Sequence, residues 1–123
     1  MKNIADIRQE YTKSGLRESE LPCDPLSLFS RWLQEAIDAN VEEPTAVIVG
    51  TVSPEGRPST RTVLLKGLHD GKFIFYTNYE SRKGRQLAQN PYISLSFVWH
   101  ELERQVHIEG TAAKVSPEES DEY

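Results

Sequence analysis

The segment from Thr45 to Gly67, "TAVIVGTVSPEGRPSTRTVLLKG", decides the fold. Its two ends are rich in β-branched and other apolar residues, and "PEGRP" between them is rich in turn-forming residues. The pattern predicts two antiparallel strands, at 45–53 and 59–67, joined by a hairpin loop. "GKFIFYTN", residues 71–78, follows the turn "LHDG" and predicts a third strand of the same meander.

Two more strands are predicted in the second half of the chain. "YISLSFVW", residues 92–99, and "RQVHIEGTAAKV", residues 104–115, flank the turn "HELE". Five short strands with few helices favour a small antiparallel barrel over a parallel βαβ sheet. The predicted fold class is therefore mainly β with flanking helices.

The clearest helix precedes these strands. Asp24 suits the N-cap, Pro25 suits the first helical position, and Asn40 marks the end. Its apolar residues recur on one stripe, which is expected to lie against the sheet. The stripe consists of Leu26, Phe29, Trp32, Leu33, Ala36 and Ile37.

Weaker signals predict three further helical segments. They lie at residues 3–12, at residues 81–90 and from Ser116 onward. The last one opens with an N-cap, a proline and acidic residues, yet the chain stops at Tyr123 after barely two turns. This abrupt end indicates a sequence that is cut short. We expect an N-terminal arm at 1–23 and one domain at 24–123.

Composition excludes several function classes. The 123 residues suit one domain, and the net charge of -5 argues against a general binder of nucleic acid. Neither a membrane-spanning run nor a signal peptide is evident, so the expected location is the cytoplasm. The single Cys23 has no disulfide partner, and His100 and His107 lack the spacing of a metal site.

The stretch "RTVLLK", residues 61–66, places a cation at each end of an apolar strand. Residues five apart on a regular strand point to opposite faces, so Arg61 and Lys66 do not simply share one. A bulge between them, a strand that ends before Lys66, or an extended ligand along the strand each accounts for this spacing. Two surface charges that bracket a core strand are the simpler alternative.

Two other stretches suggest ligand chemistry. Ser81, Arg82 and Lys83 open a predicted helix, where free N–H groups favour an anion, so they suit either a phosphate site or an ordinary solvated helix start. Gln105 begins an apolar alternation, and its amide offers a donor and an acceptor to a heterocycle.

Taken together, these motifs resemble the pyridoxamine 5'-phosphate oxidase family. The resemblance runs from Ile4 to Tyr123 and rests on several stretches in order: "IRQEYTKSGL", "LPCDPLSLFSRWL", "RTVLLK", "FYTNYESRKGRQL", "NPYISLSFVWHELERQVHIEG" and "SPEESDEY". It implies an FMN-binding split β-barrel, antiparallel and Greek-key-like, that forms a homodimer with FMN at the interface. The implied reaction is oxidation of pyridoxamine or pyridoxine 5'-phosphate to pyridoxal 5'-phosphate, with O₂ as the acceptor and peroxide as a product.

The resemblance also assigns residues to a cofactor site and a substrate site. Arg61 would hold the flavin phosphate and Lys66 would also reach the substrate phosphate, while Arg8 to Tyr11 would close over the substrate. No catalytic nucleophile and no metal are implied. The implied cofactor-binding residues are Arg61, Thr62, Val63, Leu64, Leu65, Lys66, Tyr76, Thr77, Arg82, Lys83 and Gln105. The implied substrate-binding residues are Arg8, Gln9, Glu10, Tyr11, Lys66 and Tyr123.

Members of the family extend beyond the position of Tyr123 and carry further flavin and substrate ligands there. An FMN-binding module without catalysis is therefore the alternative to an enzyme of vitamin B6 metabolism. Arg8, Tyr11, Lys66 and Tyr123 are not needed to hold flavin alone, and they favour the enzyme. Neither a nucleic-acid partner nor a membrane is expected.

Overall fold

The computed structural model describes residues 24–76 and 90–113. One helix, α1 (Pro25–Asp38), precedes five strands: β1 (Ala46–Val52), β2 (Pro58–His69), β3 (Lys72–Phe75), β4 (Tyr92–Trp99) and β5 (Arg104–Thr111). A short 3₁₀ helix, His100–Leu102, joins the last two strands. The predicted helices at 3–12, at 81–90 and after Ser116, the arm at 1–23 and Cys23 lie outside the described residues.

The five strands form one antiparallel sheet in the order β3-β2-β1-β4-β5. The predicted meander of the first three strands is confirmed, and β4 joins it on the free side of β1. The described residues thus form a mainly-β half-barrel sheet with one helix, and the predicted fold class is confirmed. Pro58, predicted in the hairpin loop, instead begins β2 opposite Val52, and β5 ends at Thr111 rather than at residue 115.

Local sequence explains both ends of α1. The Asp24 carboxylate accepts a hydrogen bond from the Leu26 N–H at 3.1 Å. Pro25 lacks an N–H, but the first helical position has no acceptor for one within the helix. At the other end Asn40 takes a left-handed conformation, with φ of 57°. Its N–H donates to the Ile37 carbonyl, and the N–H of buried Val41 donates to the Ala36 carbonyl. This is a Schellman cap, with Asn in place of the usual glycine.

The tight turn between β2 and β3 follows from two residues. Asp70 and Gly71 both have positive φ, 51° and 73°, between the paired residues His69 and Lys72. An Asp-Gly pair in this conformation gives a hairpin turn whose twist matches that of the strands.

Side chains alternate along each strand, so the sheet has two distinct faces. The inner face packs against α1 and carries the core. Phe29 of α1 meets the rings of Phe73, Phe97 and Trp99 at centroid distances of 5.0, 5.0 and 5.9 Å. Further buried members of this core are Ala36, Val41, Val47, Val49, Leu65 and Leu95.

The opposite, outer face leaves large apolar side chains in solvent. Leu64 is 55% exposed, Val98 54%, Ile48 41% and Tyr92 68%. α1 lies on the inner face, so no described helix covers them. At 14 residues, α1 is short for a membrane span, and the described ranges hold no other helix of the required length and apolar character.

We expect Phe29→Ala to lower the free energy of unfolding by about 3–5 kcal/mol, because it removes the ring on which three other rings pack. Ile37→Ala is the matched control on the same helix, since Ile37 is 44% exposed despite its place in the predicted stripe. It should cost about 1 kcal/mol. Urea unfolding curves measure both values, and equal losses would contradict this account of the core.

Candidate functional site

The segment Arg61–Lys66 lies in the middle of β2 and spreads its side chains over both faces of the sheet. Arg61 pairs with Val49 and Val63 with Val47, which places Arg61, Val63 and Leu65 on the inner face. Thr62 pairs with Ile48, and alternation puts Leu64 beyond it on the outer face. Arg61 is exposed, whereas Val63 is half-buried and Leu65 is buried. Val63 and Leu65 can therefore contact a ligand on the outer face only through their backbone atoms.

Lys66 is the extra residue of a β-bulge. Leu65 pairs with Phe75 and Gly67 with Ile74, so two residues of β2 stand against one of β3. Because β2 continues to His69, Lys66 does not lie past the strand end. The regular stretch from Arg61 to Leu65 precedes the bulge, so Lys66 follows Leu64 on the outer face and the two cations point apart.

Lys66 and Tyr76 come together although they are ten positions apart in sequence. The Lys66 ammonium lies 5.4 Å from the centroid of the Tyr76 ring, just after the end of β3. Both side chains are exposed, and Tyr76 is 52% accessible. A cation and an aromatic face are thus available to a ligand, beside the exposed Leu64.

Gln105 lies on the outer face as well, but at the far side of the sheet. It pairs with Val98 on β4 and is exposed. Two strands, β1 and β4, separate β5 from β2, and at about 4.8 Å per strand the gap is on the order of 14 Å. The structure therefore does not bring Gln105 to Lys66 within one chain.

The remaining predicted site residues lie outside the described ranges. They are Thr77, Arg82 and Lys83 of the cofactor set, and Arg8, Gln9, Glu10, Tyr11 and Tyr123 of the substrate set. Within the described ranges, no group of three His, Cys, Asp or Glu side chains is placed to share a metal ion.

Two features of the site region escaped the sequence analysis. Ser96 and His107 meet across β4 and β5 on the outer face, with Oγ and Nδ1 2.9 Å apart. Arg104 lies over the Trp32 ring, with its Cζ 4.6 Å from the centroid, and its Nη1 is 3.3 Å from Glu35 Oε2. The alternating serines of "YISLSFVW" signal a small, polar strand face, but no local signal links Arg104 to α1.

An open groove of about 540 Å³ lies at the end of the sheet away from Lys66. Gly50, Thr60, Ser94 and Glu109 form part of its lining, and none of the predicted site residues within 24–76 and 90–113 does. A Cβ on Gly50 would come within 2.5 Å of Ser94 Oγ, so a side chain there would force the Ser94 hydroxyl to move. The groove is thus separate from the Lys66–Tyr76 pair.

Comparison with known proteins adds to this geometry. The family profile described as pyridoxamine 5'-phosphate oxidase matches residues 33–123. The chain belongs to this family.

Curated members of the family are similar in sequence over nearly the whole of this chain. It is 99% identical over 123 residues to the pyridoxine/pyridoxamine 5'-phosphate oxidase of Bacteroides thetaiotaomicron, and covers 58% of that protein. It is 58% identical over 121 residues to the enzyme of that name from Porphyromonas gingivalis, with 98% of this chain and 56% of the relative covered. The chain therefore spans little more than half the length of these relatives.

Solved structures of similar proteins support the split-barrel fold. PhzG from Burkholderia lata, in complex with tetrahydrophenazine-1-carboxylic acid, superposes with a TM-score of 0.83 at 33% identity, covering 89% of this chain and 55% of that one. A pyridoxamine 5'-phosphate oxidase-related, FMN-binding protein from Nostoc punctiforme superposes with a TM-score of 0.62 at 22% identity, covering 72% of this chain and 47% of that one. The second likeness concerns the fold alone.

Lys66→Met should change the free energy of unfolding by about 1 kcal/mol or less, because an exposed cation–π contact contributes no more than that. Lys72→Met, at an exposed position on the neighbouring strand, is the control. Urea unfolding compares the two variants. A loss several times larger for Lys66→Met would show that Lys66 supports the bulge rather than standing free for a ligand.

Proposed function

We propose that this chain binds FMN and takes part in the oxidation of pyridoxamine or pyridoxine 5'-phosphate to pyridoxal 5'-phosphate with O₂. The observation that carries the proposal is the Lys66–Tyr76 pair at the bulge of β2. The chain that holds this pair is 99% identical to a relative named pyridoxine/pyridoxamine 5'-phosphate oxidase. Family membership supports the reaction class.

The described side chains suit the chemistry of FMN, which combines a flat ring system with a phosphate. The exposed Leu64 offers an apolar surface to a ring, and the exposed Arg61 offers a charge-assisted bond to a phosphate. The Gln105 amide can donate to and accept from ring heteroatoms. We assign the flavin phosphate to Arg61, Arg82 and Lys83, and the substrate phosphate to Lys66 with Tyr123.

The divergence of Arg61 and Lys66 fits this assignment. Arg61 lies on the inner face and Lys66 on the outer face, so two anions, rather than one, are the natural partners of the pair. Thr62 to Leu65 span the distance between them, and Arg8 to Tyr11 are assigned to closure over the substrate. Tyr76 and Thr77 are assigned to the flavin.

The protein's part in this reaction is to bind and orient. FMN, when bound, would supply the two-electron oxidation of the substrate's C4' carbon, with O₂ as the final acceptor and peroxide as a product; with the amine substrate, water would release ammonia. Charge-assisted contacts from the lysine and arginines hold each phosphate, which fixes the substrate carbon relative to the ring. No side chain of this chain is assigned as a nucleophile.

A flavin-binding protein without turnover is the second candidate, because the chain covers only 58% and 56% of the two curated relatives. One experiment separates the two. The purified chain is titrated with FMN while its visible spectrum is recorded, and pyridoxamine 5'-phosphate is then added with peroxide detection.

Peroxide release that requires both FMN and substrate is the expected result. A perturbed flavin spectrum without peroxide would assign the non-catalytic role. An unperturbed spectrum at all FMN concentrations would contradict both candidates. Free FMN with substrate, in the absence of protein, is the blank.

We further propose that two copies pair through the outer face. The exposed Leu64, Val98 and Ile48 form an apolar surface there, and β2 and β5, which carry Lys66 and Gln105, lie on the order of 14 Å apart within a chain. A two-fold interface brings β5 of one copy towards β2 of the other, so each flavin would contact both.

Val98→Arg should therefore yield monomers and weaken FMN binding, because a buried, unpaired charge opposes an apolar interface. Ile37→Arg is the control, since Ile37 is 44% exposed on α1, away from the outer face. Sedimentation velocity gives the mass, and quenching of flavin fluorescence gives the affinity. A dimer that survives Val98→Arg would exclude this face as the interface.

A further inference from the structure

The connection between β4 and β5 is attached to the helical side of the molecule at three points. The Trp99 Nε1–H donates to the Pro44 carbonyl at 2.8 Å, and the Glu42 N–H donates to Glu101 Oε2 at 3.0 Å. The third point is Arg104, at the first position of β5. All three partners belong to α1 or to the segment between α1 and β1.

Arg104 makes two different contacts with α1. Its guanidinium lies over Trp32, with Cζ 4.6 Å from the ring centroid, and its Nη1 is 3.3 Å from Glu35 Oε2. A planar guanidinium can stack and bind a carboxylate at once, which an ammonium group cannot do. The Arg104 side chain is 28% exposed, so water reaches only part of it.

Gln105 follows Arg104 directly and points the other way. Arg104 pairs with Trp99 on the inner face, while Gln105 pairs with Val98 on the outer face. Among the described strands, β5 pairs only with β4, and its first residues follow Glu103, which has a left-handed φ of 54°. The end of an edge strand frays readily unless something fixes it.

We propose that Arg104 is a positioning residue for Gln105. Its contacts with Trp32 and Glu35 fix the start of β5 from the inner face, and this holds the Gln105 amide on the outer face. The proposal rests on the assignment of Gln105 to the flavin in the proposed function. It adds a specific route by which α1, on the far side of the sheet, governs cofactor affinity.

The test is a double-mutant cycle for FMN affinity in the full chain. Arg104→Met, Gln105→Ala and the double variant are titrated with FMN and followed by flavin fluorescence. Arg104→Met should weaken binding about tenfold in the parent and leave it nearly unchanged when Gln105 is already Ala, because coupled neighbours are not additive. Independent, additive losses would overturn the proposal, as would an unchanged affinity in Arg104→Met.

Two further variants separate positioning from charge. Arg104→Lys keeps the charge but cannot stack a planar group, so it should resemble Arg104→Met. Full recovery with Lys would assign the effect to charge alone and contradict the proposal. Arg57→Met, which removes an exposed arginine in the loop between β1 and β2, is the control and should leave FMN affinity unchanged. A loss there equal to that of Arg104→Met would also count against the proposal.

A second measurement needs no flavin. Relaxation of the Gln105 side-chain amide, observed by ¹⁵N NMR of the flavin-free chain, should show greater motion in Arg104→Met than in the parent or in Arg57→Met. Unchanged relaxation would overturn the positioning role. If the parent chain binds no FMN, the proposed function fails, and this measurement alone decides the role of Arg104.

Discussion

Phe29 packs from α1 into the inner face of the sheet, and the rest of the described structure depends on that contact. The rings that it meets come from β3 and β4, which β2 and β1 separate in the strand order, so one side chain joins non-adjacent strands of the sheet. Because α1 occupies the inner face, no described helix covers the outer one. Asp24 and Asn40 cap α1 and so fix where the helix begins and ends, which determines the residues that it packs against the sheet.

The two faces divide the chemistry of β2. Alternation turns Val63 and Leu65 towards the core and Leu64 towards solvent, so neighbouring residues of one strand belong to the core and to the exposed surface. The apolar stretch between Arg61 and Lys66 is therefore not simply a core strand with charged ends. The same division recurs on β5, where Arg104 contacts the helix and Gln105 faces outwards.

Local signals predicted most of the fold. Turn residues such as Asp70 and Gly71 and the capping residues of α1 act over a few positions, so the sequence displays them directly. The bulge at Lys66 was one of three explanations for its spacing from Arg61, and only pairing with β3 selects it. Glu35 and Arg104 lie 69 residues apart, and Ser96 meets His107 only in one register, so no periodicity reveals these contacts.

For the site residues, too, the sequence indicated residue type but not distance across the sheet. The exposed, paired positions of Lys66 and Tyr76 accord with a binding role, whereas the wide separation of Gln105 from β2 was not visible in the sequence. Distance across a sheet depends on strand order, and strand order is a property of the whole chain. Hence a residue's type was easier to predict than its distance from other residues across the sheet.

The bulge at Lys66 also changes which residues of β2 face the core. Before it, odd-numbered residues such as Leu65 face the core, and after it Leu68 packs against the same core from an even-numbered position. Without the inserted residue, a strand of this length would turn one of its apolar ends towards water. The fold therefore requires a fixed number of residues between Leu65 and Leu68. It does not require a particular side chain at the inserted residue, Lys66, so the residue type there can be selected for its chemistry.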